Sequence, residues 1–99
     1  TNQQATGTSS HDSEIVTTVK ILKKILGNPR YEDNTGRDKV NFDWVMETKF
    51  GNVFTVYDYK EYRKLKLNEK IHFHIGGMNV DITELAKSEI EEAISKIND

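Results

Sequence analysis

Residues 39–59, KVNFDWVMETKFGNVFTVYDY, alternate apolar and polar side chains on either side of one glycine, Gly51. Alternation with a period of two is typical of β-strands that bury one face, and a glycine between two such runs indicates a tight turn. We therefore predict a β-hairpin. This feature restricts the fold most, because a hairpin with one apolar face needs other elements to cover that face.

The type of turn decides which side chains share a face, because a shift of one residue exchanges the two faces. A three-residue loop over residues 49–51 puts glycine at the left-handed bulge position and sets Trp44 opposite Val56. A two-residue turn at positions 51 and 52 would instead separate the apolar residues of the two strands. We favour the first register and predict that Trp44 is buried between the sheet and the helices. The shared apolar face then consists of Phe42, Trp44, Met46, Phe54 and Val56.

A helix is predicted before the hairpin. Apolar residues recur at helical spacing in residues 12–26, with Asp12 or Ser13 as the cap of the exposed amide groups. Gly27 followed by Pro29 is typical of a helix end, because glycine adopts the left-handed conformation and proline cannot continue the helix. The expected buried stripe is Ile15, Val19, Leu22 and Leu26.

A third strand is predicted in IHFHI, residues 71–75. Its apolar residues alternate with His72 and His74, so the two histidines point to the opposite side. The double glycine Gly76-Gly77 is expected to end the strand. The connection before it, residues 60–70, fits either a short helical turn or an irregular loop.

The last segment, residues 81–97, is predicted to form a second helix. Asp81 with Glu84 three residues later is an aspartate version of the capping box. The buried stripe of this helix is Ala86, Ile90, Ala93, Ile94 and Ile97.

Together these elements predict an α+β fold in the order α-β-β-β-α. A three-stranded antiparallel sheet carries both helices on one face, so a two-layer sandwich buries every apolar stripe. Residues 11–99 form a single domain, and residues 1–10, which are small and polar, form a flexible tail. The other face of the sheet stays open and carries Asp43, Val45, Glu47, Val53, Thr55, Tyr57, Tyr59, His72 and His74.

Composition excludes several classes of function. The formal net charge of -2 and the pI of about 5.9 argue against a protein that coats nucleic-acid duplexes. The absence of cysteine excludes disulfides, thiolate catalysis and zinc sites built on sulfur. No apolar run reaches the roughly 18 residues that cross a membrane, and no secretory leader appears. We therefore expect a soluble, cytoplasmic protein.

The His-x-His pair has two interpretations. His72 and His74 point the same way and could share a metal ion, with Asp43 or Glu47 as a further ligand. The simpler interpretation, which we prefer, is two exposed histidines opposite tyrosines and no metal. A flat sheet face offers no dry pocket for acid–base catalysis, so we expect neither an enzyme nor a cofactor.

The segment YDYKEYR, residues 57–63, is the predicted binding patch, with Tyr59, Tyr62 and Arg63 at its centre. Tyrosine and arginine are enriched at the centres of protein–protein contacts. Tyrosines interleaved with cations also bind single-stranded nucleic acid, through base stacking and phosphate contacts. In a purely structural interpretation, the tyrosines shield the sheet and the lysines form a solvated rim. The candidate site residues are Tyr57, Tyr59, Lys60, Tyr62, Arg63, Lys64, His72 and His74.

The pattern VFTVYDYKEYR followed by HFHIGG resembles small uncharacterised proteins encoded by bacteriophages. The resemblance implies an accessory protein that acts by binding a host or phage protein in the host cytoplasm. Nucleic acid is the alternative partner. The matching residues are Tyr57, Asp58, Tyr59, Lys60, Glu61, His74, Ile75, Gly76 and Gly77.

A homodimer is also expected. Two copies could cover the open sheet face around a two-fold axis. The acidic second helix of one copy could also meet the basic residues 60–66 of the other.

Overall fold

The computed structural model of the protein describes residues 13–97, which form five strands and two helices. The elements are β1 (Ser13–Thr17), α1 (Val19–Leu26), β2 (Tyr31–Glu32), β3 (Phe42–Glu47), β4 (Val53–Tyr57), β5 (Ile71–Gly77) and α2 (Val80–Ile97). The predicted tail, residues 1–10, lies outside the described residues. No helix among residues 13–97 is long and apolar enough to cross a membrane.

The strands form one antiparallel sheet in the order β1-β5-β4-β3-β2, and both helices pack on one of its faces. The predicted α+β class is confirmed. The predicted three-stranded sheet and the order α-β-β-β-α are wrong in detail, because β1 and β2 add a strand at each edge. The central strands β5, β4 and β3 are the three that the sequence predicts.

Strand β1 occupies the start of the segment predicted to be a helix. Ile15, Val16 and Thr17 are β-branched, and such side chains fit a pleated strand better than a helix. Ile15 and Thr17 are buried whereas Glu14 and Val16 are exposed, which is the alternation of a strand. The apolar spacing of this segment fits both structures over its first residues, and pairing with β5 selects the strand.

Helix α1 therefore begins at Val19, later than predicted. The Ile21 amide donates to Thr18 Oγ1 at 3.0 Å, so Thr18 is the N-cap instead of residue 12 or 13. Gly27 follows the helix with a φ of 85°, in agreement with the predicted end.

The β3–β4 hairpin has the predicted register. Trp44 lies opposite Val56, and Met46 lies opposite Phe54. The turn residue Gly51 has a φ of 88°. Glycine adopts this left-handed conformation at little cost, so it fixes the length of the loop and with it the register.

The hydrophobic core lies between the sheet and the two helices. Trp44 is fully buried there, as predicted. Its indole N–H donates to the Gly27 carbonyl at 2.9 Å, which satisfies the polar group of the buried ring. The other buried apolar side chains are Ile15, Val19, Leu22, Phe42, Phe54, Val56, Leu65, Ile71, Phe73, Ile75, Ala86 and Ile90.

Helix α2 begins at Val80 and packs over β5, β1 and β4. The Ile82 amide donates to Asn79 Oδ1 at 2.9 Å, so Asn79 caps this helix. The predicted cap, Asp81, lies in the first turn instead. Asparagine and aspartate cap helices about equally well, and the sequence pattern does not distinguish between these two nearby candidates.

Candidate partner-binding face

The face of the sheet opposite the helices carries the candidate site. Alternation sends every second side chain of each strand to this face, as predicted for β3, β4 and β5. No element within residues 13–97 covers it. We call it the open face; its residues are Glu14, Val16, Tyr31, Asp43, Val45, Glu47, Val53, Thr55, Tyr57, Tyr59, His72, His74 and Gly76.

One row of side chains crosses the open face from edge to edge. The register places Glu14 beside His74, and His74 beside Tyr57. Tyr57 lies beside Asp43, which lies beside Tyr31 of β2. Three rings and two carboxylates thus span five strands. A prediction of three strands cannot find this row, because Glu14 and Tyr31 lie on the two added strands.

Tyr57, Tyr59 and His74 form an aromatic cluster on the open face. The Tyr57 and His74 rings are stacked, with centroids 5.5 Å apart and planes at 18°. Tyr59 meets both rings edge-on, at 6.3 Å from Tyr57 and 5.9 Å from His74. Lys60 Nζ lies 5.2 Å from the centroid of the Tyr59 ring, within reach of cation–π attraction. The fold therefore brings four of the predicted site residues together.

His72 makes a different contact. Its Nδ1 lies 3.2 Å from Glu14 Oε1, and both side chains are exposed. The geometry is that of a hydrogen-bonded surface pair between β5 and β1. Among residues 13–97, no group of three or more His, Asp or Glu side chains is arranged to hold a metal ion.

A groove of about 430 Å³ lies between β4 and β5, above Gly76. Gly76 lies opposite Thr55, and the missing side chain of the glycine lowers the floor of the groove. Val53, Tyr57 and Met78 line it as well. The double glycine was predicted to follow the strand, but both residues belong to β5 and pair with β4, so the strand ends at Gly77 instead of Ile75. We call this feature the Gly76 groove.

Apolar side chains are exposed around the aromatic cluster and the Gly76 groove. The exposed fractions are 51% for Val16 and 54% for Val53, and Tyr59 is 41% exposed. Val45 on β3 adds a further partly exposed side chain. Single exposed apolar residues are common on protein surfaces, whereas a contiguous exposed apolar patch is typical of interaction sites.

Asp58, within the predicted patch YDYKEYR, is fully buried. Its carboxylate accepts the backbone N–H of Asn41 at 2.9 Å and that of Phe42 at 2.7 Å. Burial raises the pKa of Asp58, and these hydrogen bonds act in the opposite direction. The composition of the segment does not predict this structural role, although one signal existed: Asp58 continues the inward-facing alternation of Phe54 and Val56.

The loop between β2 and β3 holds residues 58–70, the irregular connection between β4 and β5, in place. Asn34 Nδ2 donates to the Leu65 carbonyl at 2.8 Å, and the Leu65 N–H donates to Asn34 Oδ1 at 2.6 Å. Asn41 Nδ2 donates to the Arg63 carbonyl at 2.9 Å. Of the two predicted possibilities, the irregular loop is correct, and side-chain hydrogen bonds stabilise it instead of a helix.

The same loop contacts hold two residues of the patch in left-handed backbone conformations. Lys60 has a φ of 59° and Tyr62 a φ of 52°. The Lys60 N–H donates to the Lys39 carbonyl at 2.6 Å. Such conformations cost about 1–3 kcal/mol each and persist where the surrounding structure enforces them, often at functional sites.

Arg63, a predicted centre of the patch, is already engaged by a neighbour. Its Nη1 and Nη2 donate to the two carboxylate oxygens of Glu69 at 3.0 and 2.6 Å. These hydrogen bonds raise the pKa of Arg63 and lower the pKa of Glu69. A carboxylate or phosphate of a partner would therefore compete with Glu69. Tyr62 and Lys64 beside it are exposed.

Gly36→Ala is expected to lower the free energy of unfolding by about 1–3 kcal/mol more than Gly51→Ala does. Both glycines have a positive φ, 81° and 88°, so the backbone penalty is similar. A Cβ at Gly36 would lie 2.5 Å from Arg63 Cα, whereas a Cβ at Gly51 meets nothing within 4 Å. Urea unfolding of both variants measures the difference. Equal costs would contradict the close packing of the two loops.

Comparison of the chain with protein-family models, with curated proteins and with solved structures gives no match. The resemblance to bacteriophage proteins and the host cytoplasm as compartment stay predictions. Inferences about the function of this protein therefore rest on the geometry of the open face.

Proposed function

We propose that this protein acts by binding another protein through its open face. The observation that carries the proposal is the group of exposed apolar and aromatic side chains on a face that no element of residues 13–97 covers. The aromatic cluster and the Gly76 groove adjoin there, because Tyr57 belongs to both. The resemblance to bacteriophage accessory proteins suggests a host protein as the partner.

The aromatic cluster suits protein recognition. Tyrosine offers a large contact area and loses little conformational entropy on binding. Tyr57 and Tyr59 are held in advance by their contacts with each other and with His74. The Gly76 groove beside them has room for one apolar side chain of a partner, which is how binding hot spots are commonly built. The partner we propose therefore presents an exposed aliphatic or aromatic side chain.

The proposed role is binding and not catalysis. Acid–base catalysis works best in a pocket that excludes water from the reacting groups. His72 and Glu14 of the open face are exposed, and Asp43 forms an ion pair with Arg30. These groups suit recognition better than proton transfer.

Single-stranded nucleic acid is the second candidate ligand. The stacked rings of Tyr57 and His74, with Lys60 beside Tyr59, form the combination that such proteins use. The open face also carries the carboxylates of Glu14, Asp43 and Glu47. These carboxylates would repel the phosphates of a nucleic acid, which favours a protein partner.

Affinity capture from a bacterial lysate with two matched valine variants tests the proposal. Val53 and Val80 are exposed to 54% and 48%, but Val53 lies on the open face and Val80 at the start of α2. Val53→Lys is expected to weaken binding at least about tenfold, because a lysine buried in an apolar contact has no partner for its charge. Val80→Lys is expected to bind like the wild type.

Controls for folding and for nucleic acid decide between the possible outcomes of the capture. Circular dichroism and urea unfolding must first show that both variants are folded. Nuclease treatment should leave the partner bound, whereas loss of capture after nuclease, or steep weakening with salt, would identify nucleic acid as the ligand. Capture by Val53→Lys but not by Val80→Lys would contradict the proposal, because the binding surface would then lie at α2.

A further inference from the structure

The outer edge of β1 is a surface that the proposed function does not use. Strand β1 pairs with β5 along one edge, and no strand in the part of the chain that the structure describes pairs with the other. An unpaired edge presents free N–H and C=O groups to another strand. The sequence of β1, SEIVT, contains no proline or lysine that would block such pairing.

A groove of about 400 Å³ lies beside this edge, between β1 and α2. Lys87 and Glu91 stand one helical turn apart on the flank of α2 that lines it. Neither side chain makes an ion pair or hydrogen bond within residues 13–97. The side chains that line the groove are Glu14, Ile15, Val16, Lys87, Glu91 and Ile94.

We propose that a second copy of this chain occupies the edge, with β1 pairing antiparallel to β1 of the other copy around a two-fold axis near Ile15. A two-fold contact is self-complementary: when one residue of the first copy contacts a second residue of the other copy, the same contact also forms with the two copies exchanged. The result is a continuous ten-stranded sheet. This dimer differs from the one expected from the sequence, in which two open faces cover each other.

Charge complementarity identifies a second copy as the occupant. With Ile15 opposite Ile15 of the other copy, Glu14 lies opposite Val16, so no like charges meet along the strands. The two α2 helices run antiparallel across the axis. Because Lys87 and Glu91 are level with β1, Lys87 of one copy faces Glu91 of the other, and the reverse pair forms by symmetry.

The two-fold axis is perpendicular to the sheet, so the two open faces lie on the same side of the dimer. Neither face is covered by the contact. The inference is therefore independent of the proposed function, because it concerns the mass of the protein and not the capture of a partner. If both hold, the dimer presents two copies of the binding surface to one target, which strengthens binding by avidity.

Sedimentation equilibrium of the full chain at high micromolar concentration tests the proposal and is expected to give the mass of a dimer. Lys87→Glu and Glu91→Lys should each weaken self-association at least about tenfold, because each variant sets four like charges at the axis. An equimolar mixture of the two variants should form a heterodimer, since one copy then carries two carboxylates and the other two ammonium groups. Exposed residues on the far side of α2 provide matched controls, Lys96→Glu and Glu92→Lys, and both should dimerise like the wild type.

A monomer mass for the wild type would overturn the proposal, and residues 1–12 or a foreign strand would become the candidates for this edge. A dimer that both charge reversals leave intact would also overturn it, because the contact would then lie elsewhere. Loss of dimer in the control variants as well would show a general charge effect and would equally contradict the specific pairing.

Discussion

Trp44→Ala is expected to lower the free energy of unfolding by about 3–5 kcal/mol, a large part of what holds a domain of this size together. The ring is fully buried. Its centroid lies 5.9 Å from that of Phe42 and 6.2 Å from that of Phe73, and its N–H is bound to the Gly27 carbonyl. Removal of the ring leaves a cavity between the sheet and α1 and an unpaired carbonyl at the end of that helix. Urea unfolding measures the loss.

Trp44→Phe is the matched control for this substitution. It keeps an aromatic ring in the core but removes the hydrogen bond to Gly27, so we expect a smaller loss than for alanine. A loss below about 1 kcal/mol for Trp44→Ala would contradict the burial, as would solvent-like fluorescence of the folded wild type.

Asp58→Ala is expected to lower the free energy of unfolding by about 2–4 kcal/mol, because two buried N–H groups, of Asn41 and Phe42, lose their acceptor. The exposed Asp38 is the matched control. Its carboxylate accepts a bond from the Tyr31 hydroxyl at the surface, and Asp38→Ala should stay within about 0.5 kcal/mol of the wild type. Similar losses for both aspartates would contradict the structural role of Asp58.

The contribution of Asp58 to the stability of the fold depends on pH, and the sign of this dependence follows from the pKa shift. Burial raises the pKa of Asp58, so the folded protein holds this proton more tightly than the unfolded chain does. The stability that the proton contributes is complete below the pKa of the unfolded chain and is lost as pH rises through the raised pKa of the folded state. The stability of the wild type relative to Asp58→Asn should therefore fall as pH rises through this window. A relative stability that rises instead would show that the N–H bonds outweigh burial.

Local patterns in the sequence were sufficient to predict the central strands and their register. Gly51 fixes the loop, and the alternation around Trp44 and Val56 admits one register with a single apolar face. The start of α1 was not predictable in the same way. The segment from Ile15 to Val19 fits a helix and a strand equally over a few residues, and a strand pairing with β5, 58 residues away, selects between them.

Local patterns also predicted part of the candidate site, and the rest depends on residues that are distant in the sequence. Tyr57 and His74 follow from alternation along two predicted strands, and the structure stacks them. The buried role of Asp58 depends on amides 16 and 17 residues earlier, and Asn34 holds the Leu65 backbone 31 residues later. Composition cannot reveal such distant hydrogen bonds. They explain why YDYKEYR is both a structural segment and a binding candidate.

The structural role and the proposed binding role of this segment are compatible, because the side chains that serve them lie on opposite sides of one backbone. Asp58 points inward and anchors the chain as it leaves β4, whereas Tyr57 and Tyr59 on either side of it point to the open face. The buried carboxylate therefore holds the two tyrosines at a fixed spacing. A rigid arrangement of this kind lowers the conformational entropy that the open face would lose when it binds a partner.

Methyl NMR of the valine-labelled chain with the captured partner tests the open face most directly. A soluble paramagnetic reagent broadens exposed methyl signals, and in the free protein those of Val45, Val53 and Val80 should all be affected, because all three are exposed. When the partner binds, we expect Val45 and Val53 to become protected while Val80 stays accessible. Protection of Val80, with Val45 and Val53 still broadened by the reagent, would contradict binding through the open face.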